Sequence, residues 1–431
     1  MADKFPRRYA VCGVSARAIG MFLRPMIEEF SAYAEPVALL DIDPLRFQVC
    51  KEDIPQLAAL PEYAPDEFDK MVAETKPDVI LAVGMDCTHA TYILQALAHD
   101  LDVVSEKPMA TTSDDCRKIV EAEKRSKGKV ICSFNYRYPA IHRKMREMLI
   151  AGAVGRITNI DLNWYIDTYH GSSYFKRWNR IRANSGGLSI HKASHHFDLV
   201  NWLIDDVPNT VHAFGALNYY GPDGEFNPSI RDGRVCGECE EKSNCRYHRR
   251  WSSRLSSLKV KDDHISAFAG GRRKYSEYRP DRCIFDSAID IEDTYVANVR
   301  YDSGALLNYS ANFSAPYEGY RLAINGTRGR IETQEWHAPG RTPFPIEHER
   351  QFIDYFPIFG SQERIYAVEK SGGHGGGDPL IREDIFIEPD PDRPYAILSG
   401  AIEAWHSIAI GEAVWRSVKE EKIIKLDFST K

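Results

Sequence analysis

Residues 9–14, Tyr-Ala-Val-Cys-Gly-Val, form an unbroken apolar run that ends in a glycine turn, and residues 17–30 behind them carry helical spacing. A strand with no in/out alternation is one buried on both faces, which is the state of a strand inside a parallel sheet. The unit repeats along the chain: PVALLDID (36–43), DVILAV (78–83), the helical HATYILQALAHD (89–100), LDVVSEKP (101–108), the helical SDDCRKIVEAEKRS (113–126) and KVICSF (129–134). Strands alternating with helices predict a doubly wound Rossmann sheet over residues 1–134, the architecture of a nucleotide-binding domain.

From Asn135 the texture changes. RITNIDLNWYID (156–167), NTVHAFGALNYY (209–220), DTYVANVRYD (293–302), ALLNYSANFS (305–314) and YRLAINGTRGRIETQ (320–334) alternate apolar and polar residues. That period belongs to strands with one covered and one open face. Residues 135–431 are therefore expected to form an α+β domain with a large open, mostly antiparallel sheet. Residues 221–286 read as a cysteine-bearing insertion, and residues 337–378 as a second long connection without clear elements.

A chain of 431 residues exceeds one ordinary core, in line with two domains. The net charge of −7, from 62 acids and 55 bases, supplies no field for nucleic acid or an anionic membrane surface. No apolar run approaches the roughly 20 residues of a membrane span, and the first residues lack a secretory pattern. A cytoplasmic enzyme of a small neutral or weakly charged substrate is the expectation.

At the first turn stand Gly13, Ser15, Arg17 and Ala18. A pyrophosphate at a helix N-terminus needs a tight turn with small residues and exposed backbone N–H groups. Gly13 fits the first glycine, while Ser15 and Ala18 replace the second and third. Asp41 closes the second strand, about 20 residues on, where an acid grips the adenine ribose hydroxyls and repels a 2′-phosphate. NAD is thus expected over NADP, with Arg17 within reach of a phosphate.

Glu106-Lys107-Pro108 ends the strand LDVVS, at the edge where such sheets bind ligands. With Asp78-Val79, Cys87-Thr88-His89 and Asn135-Tyr136-Arg137-Tyr138, it resembles the glucose-fructose oxidoreductase / inositol dehydrogenase (Gfo/Idh/MocA) family. The resemblance implies that His89, Glu106 and Lys107 lie at the cofactor, that Lys107 also meets the substrate hydroxyl, and that Arg137 lies on the substrate side. It also implies a homo-oligomer, dimer or tetramer, built on the open sheet.

The second domain carries the other half of the resemblance. Residues 185–198, SGGLSIHKASHHFD, look like the family's glycine pair leading into Asp-x-x-x-His. His195 falls on the family's catalytic histidine, and His191 stands where many members have aspartate. Residues four apart on a helix share a face, so both imidazoles are expected to face one space. A near-neutral imidazole takes a hydroxyl proton as its carbon loses hydride. Since His191 is no anion, the relay is expected through Lys107, Lys192 or Asp198. The same spacing suits zinc, but no acid lies between the histidines as in zinc proteases.

His170, Tyr174 and Arg177 lie in an aromatic, donor-rich stretch of the kind that sugar sites use, and Lys192 joins them as a candidate substrate contact. His374, in GGHGGGD (372–378), resembles the family's glycine-rich segment facing the substrate. Cys236, Cys239, Cys245 and Cys283 form the one dense cysteine set, for which a structural zinc, packed thiols and a disulfide all remain open.

The function expected is NAD-dependent hydride transfer at a sugar or cyclitol hydroxyl. Two other functions suit the same domains: a glycosidase working by transient oxidation and elimination on tightly held NAD, and a non-catalytic NAD sensor.

Overall fold

The computed structural model describes residues 6–248, 275–337, 351–367 and 373–430. Six parallel strands, β1 (Arg7–Cys12), β2 (Ala34–Leu40), β3 (Glu62–Tyr63), β4 (Val79–Ala82), β5 (Asp102–Ser105) and β6 (Val130–Cys132), lie in the order β3-β2-β1-β4-β5-β6. Chain direction across the sheet reverses between β1 and β4, which opens a crevice at their carboxyl ends. Gly13 sits at that point with φ +97°, and a Cβ there would lie 2.3 Å from Gly84 Cα. Only two bare backbones fit at the crevice floor.

Among the described residues the second sheet holds nine strands. They are β7 (Ile157–Asp167), β8 (Pro208–Ala216), β9 (Thr294–Tyr301), β10 (Leu306–Ala315), β11 (Glu318–Gly326), β12 (Gly329–His337), β13 (Phe352–Pro357), β14 (Glu363–Tyr366) and β15 (Ile424–Lys425). Their order is β14-β13-β12-β11-β7-β10-β9-β8-β15; β7 and β10 pair in parallel and the other pairs are antiparallel. Alternation sorts the faces: Ile160, Leu162, Trp164, Tyr309 and Phe313 are buried, while Phe214, Val296 and Leu306 are exposed on the far side. β13 and β14 occupy part of the stretch that reads as a connection. Their few residues do not give a sequence period long enough to separate them from loop.

The two sheets share a core. The helix Ala401–Glu420 places Ala404, Trp405 and Ile408 against Val130 and Cys132 of the first sheet, and the Cys132 amide donates to Ser399 O at 2.8 Å. The helices Leu188–His191 and Ala193–Ile204 pass between the sheets and bring the glycine-pair segment to the crevice.

Candidate active site

The crevice begins with the turn after β1. Ser15 Oγ accepts from the Ala18 amide at 3.1 Å and donates to Val83 O at 3.1 Å, so the residue replacing the second glycine caps the following helical turn. Asp41 accepts from the Val14 and Asp43 amides at 2.7 and 2.9 Å, which fixes its carboxylate at the end of β2. The tight Gly13 turn, packed backbone to backbone against Gly84 with an acid held beside it, suits the adenosine and pyrophosphate of a dinucleotide.

Arg17 does not stand free for a phosphate. Its Nε donates to Glu106 at 2.7 Å and its guanidinium lies 3.5 Å from Asp378. Glu106 is thereby committed to Arg17 and to the Lys107 amide, 3.3 Å away. His89 is also a positioning residue: buried, it sets its ring nitrogens 2.8 Å from Pro108 O and 3.2 Å from Gly84 O, tying the β4 turn to the β5 turn.

Lys107 crosses the crevice, where its Nζ donates to His191 O at 2.8 Å. Burial lowers the ammonium pKa, opposed by the charges of Asp86 and Glu106. His191 Nδ1 lies 2.5 Å from Asp86 Oδ2, and Asn179 Nδ2 donates to His191 Nε2 at 3.1 Å. With both nitrogens engaged, the ring is the neutral Nδ1–H form, an orienting group. Burial, reinforced by Lys107 and Arg177, holds His191 well below the usual imidazole range, while burial pushes Asp86 up. Asp86 thus supplies the carboxylate that the sequence seemed to lack; it opens the helix Asp86–Ala98, one residue before the Cys87-Thr88-His89 motif.

The expectation that His191 and His195 share one helical face does not hold. Lys192, at φ −105°, separates two helices, so the 3.6-residue period breaks between the imidazoles. His191 meets Tyr174 and Trp178, while His195 lies edge-on to Phe134 and Tyr136 at 5.7 and 5.0 Å. Lys192 sits over the rings of Tyr136 and Trp164 at 5.4 and 5.9 Å, and burial pushes its amine down to about 8.

A second polar chain approaches from the open-sheet domain. Glu318 lies 3.0 Å from His170 Nδ1, and His170 Nε2 lies 2.8 Å from the Tyr174 hydroxyl. Burial opposes ionisation of Glu318, but His170 and Lys192 outweigh it and hold the carboxyl below its usual range. Tyr174 packs edge-on against His191 at 5.4 Å, which brings this chain to the Lys107 end of the crevice. Arg177, one helical turn on, donates its Nε to Ser173 O at 3.1 Å. Asn179 and Glu318 were invisible to sequence reasoning, because neither belongs to a motif and Glu318 acts through His170, 148 residues away.

Two expectations are corrected, and a third falls outside the described side chains. Arg137 is an interior residue, paired with buried Asp198 at 2.7 and 2.5 Å, which removes Arg137 from the substrate face and Asp198 from the proton relay. The four clustered cysteines are free thiols, and among the described residues no three or more metal-ligating side chains stand as a metal-binding group. An isolated bridge between Val235 and Arg282 brings the segments bearing Cys236 and Cys283 together, and burial, opposed by the nearby Lys176, pushes Cys236 up to about 11, favouring the packed thiol. His374 lies in the helix Gly373–Phe386, with its side chain outside the described residues.

Residues 7–134 match the family described as oxidoreductase, NAD-binding Rossmann fold, and residues 146–426 match the oxidoreductase family's C-terminal alpha/beta domain. YteT of Bacillus subtilis (strain 168), which bears an oxidoreductase name, is 56% identical over 414 residues, 96% of each chain. An inositol 2-dehydrogenase of Saccharopolyspora erythraea is 32% identical over 141 residues, 32% of this chain and 38% of its own. The WlbA dehydrogenase of Bordetella pertussis, solved with NADH and UDP-GlcNAcA, superposes with a TM-score of 0.65 at 18% identity, covering 99% of each chain. No described helix is long and apolar enough to cross a membrane. The chain belongs to the Gfo/Idh/MocA oxidoreductase family, an enzyme with an NAD-binding Rossmann domain and an open-sheet C-terminal domain.

Proposed function

We propose that the protein is an NAD-dependent dehydrogenase of a sugar, sugar derivative or cyclitol, acting in the cytoplasm as a homo-oligomer. The dinucleotide occupies residues 1–134 and the substrate sits between them and residues 135–431. The observation that carries this reading is Lys107, which leaves the nucleotide sheet at its ligand-binding edge and meets the His191 backbone of the other domain.

Bound NAD supplies the hydride acceptor. Asp41 holds the adenine ribose, and its charge disfavours a 2′-phosphate. The Lys107 amine, lowered by burial, takes the hydroxyl proton as the carbon is oxidised, and His195 shares in that transfer from the Tyr136 side. His191, fixed by Asp86 and Asn179, holds Lys107 through its carbonyl. Tyr174, backed by His170 and Glu318, donates to a neighbouring substrate hydroxyl, and the cations of Lys192 and Arg177 orient the remaining polar groups.

The direct test mixes purified protein with NAD and a panel of sugars, inositols and sugar acids while following reduced-cofactor absorbance. Turnover with at least one polyol is the expected result; bound NAD with no turnover across the panel would overturn the reading.

Asp86→Asn is expected to lower kcat by roughly ten- to a hundredfold, since a hydrogen bond to a charged group is worth about 1.5–3 kcal/mol. Removing the anion also removes a charge that raises the Lys107 pKa, so the acid limb of the kcat/KM profile moves to lower pH. A limb that stays put would show Asp86 to be neutral already in the native enzyme.

A further inference from the structure

The cysteine-bearing segment does more than decorate the second domain: its last part, Tyr275–Tyr278, lies across the nucleotide-binding domain. Ser276 donates its amide and its hydroxyl to Asp43 at 2.8 and 2.6 Å. The Asp43 amide donates to Asp41 at 2.9 Å, which makes a hydrogen-bonded chain from Ser276 to the acid at the end of β2. Tyr275 lies under the Arg46 guanidinium at 4.8 Å, and Arg46 Nε donates to Val14 O, in the turn that follows Gly13, at 2.9 Å.

The other end of the segment reaches the catalytic side. Tyr275 and Tyr278 pack edge-on at 5.0 Å, and the Tyr278 hydroxyl accepts from the Trp178 amide at 2.9 Å. Asn179, the next residue, holds His191. Four consecutive residues therefore touch both corners of the adenosine site and the strand of chain that carries the imidazole partner. Beside them Ile42 is 82% exposed, an apolar side chain on the rim of the same site.

We propose that Tyr275–Tyr278 is a clamp on the adenosine half of the dinucleotide: it fixes Asp41 and Arg46 from outside, and with Ile42 it walls the adenine, so that bound cofactor leaves slowly. This rests on the assignment of NAD to the crevice. The contacts run between the two domains, so each must break before the ribose and adenine pocket opens. Specific contacts of this kind act mainly on the rate of dissociation.

The test is stopped-flow fluorescence of NADH release, chased with excess NAD, on the full-length protein. The Tyr275→Ala/Ser276→Ala variant is expected to release NADH about 10- to 100-fold faster than the native protein, with an unchanged melting temperature in the absence of nucleotide. Asp43→Asn, made from the opposite side, should accelerate release as well. Combined with Ser276→Ala it should add little, since both remove one contact. Native protein that binds NADH while the variants release it at the native rate would overturn the clamp alone. Native protein that binds no NADH would overturn the cofactor assignment and the clamp together.

Discussion

Lys107→Ala is expected to lower kcat/KM for the best polyol substrate by about 10²- to 10⁴-fold, the usual worth of a positioned general base, while NADH affinity changes far less. The difference arises because the amine meets a proton that moves only during reaction, whereas the adenosine half of the cofactor is held some distance away by Asp41. Native enzyme oxidises alcohol only with the amine neutral, so activity rises with pH through the Lys107 pKa. Burial lowers that pKa, so the rise comes below the ordinary lysine range. In the alanine variant that limb disappears. The variant also leaves His191 O without its donor at 2.8 Å, so thermal unfolding should be measured beside the kinetics. A loss under tenfold with the limb retained would remove Lys107 from the chemistry.

Arg137→Ala is expected to cost about 3–5 kcal/mol of stability, the range for stripping one partner from a buried ion pair. Two short contacts to Asp198 and a third to Ile397 O at 3.3 Å are lost together, and side chains only 3% and 1% exposed leave little room for water to replace them. The orphaned Asp198 carboxyl, already raised by burial, rises further and takes up a proton on folding. A group whose folded pKa is raised imposes no penalty below its unfolded value, and the penalty grows as pH rises toward the folded one. The deficit in urea unfolding should therefore be smaller near pH 4 than near pH 8. A joint Arg137→Met/Asp198→Leu replacement should recover most of the loss, because it removes both charges at similar volume. A uniform deficit across pH, or no recovery in the double variant, would mean that the pair is not what stabilises this interior.

How far the site could be read in advance differs by residue. Gly13, Asp41 and Lys107 declare themselves because each sits at a fixed offset from a strand end, and strand ends are visible as the close of an apolar run. Arg137 was expected on the substrate side from the family resemblance of its motif, yet which way a side chain points after a strand depends on the turn, and here a short helical turn over Asn135–Arg137 sends it inward. His191 and His195 looked like neighbours because helical periodicity was assumed through Lys192. The break at Lys192 between two helices has no breaker residue to mark it in the local sequence.

The sequence alone determined five of the six strands of the parallel sheet, the alternating strands behind it and the residues that mark the nucleotide crevice, since these follow from periodicities of a few residues and from turn chemistry; the two-residue strand Glu62–Tyr63 is too short to carry a period. Only the tertiary structure decided which acid serves His191, that Glu318 backs His170 and Tyr174, and that Tyr275–Tyr278 returns to Asp43 and Arg46. Asp86 lies 105 residues from His191, and Ser276 lies 233 from Asp43. Contacts of that span are fixed by how two sheets and a shared core settle against each other, and that balance is a property of the packed molecule.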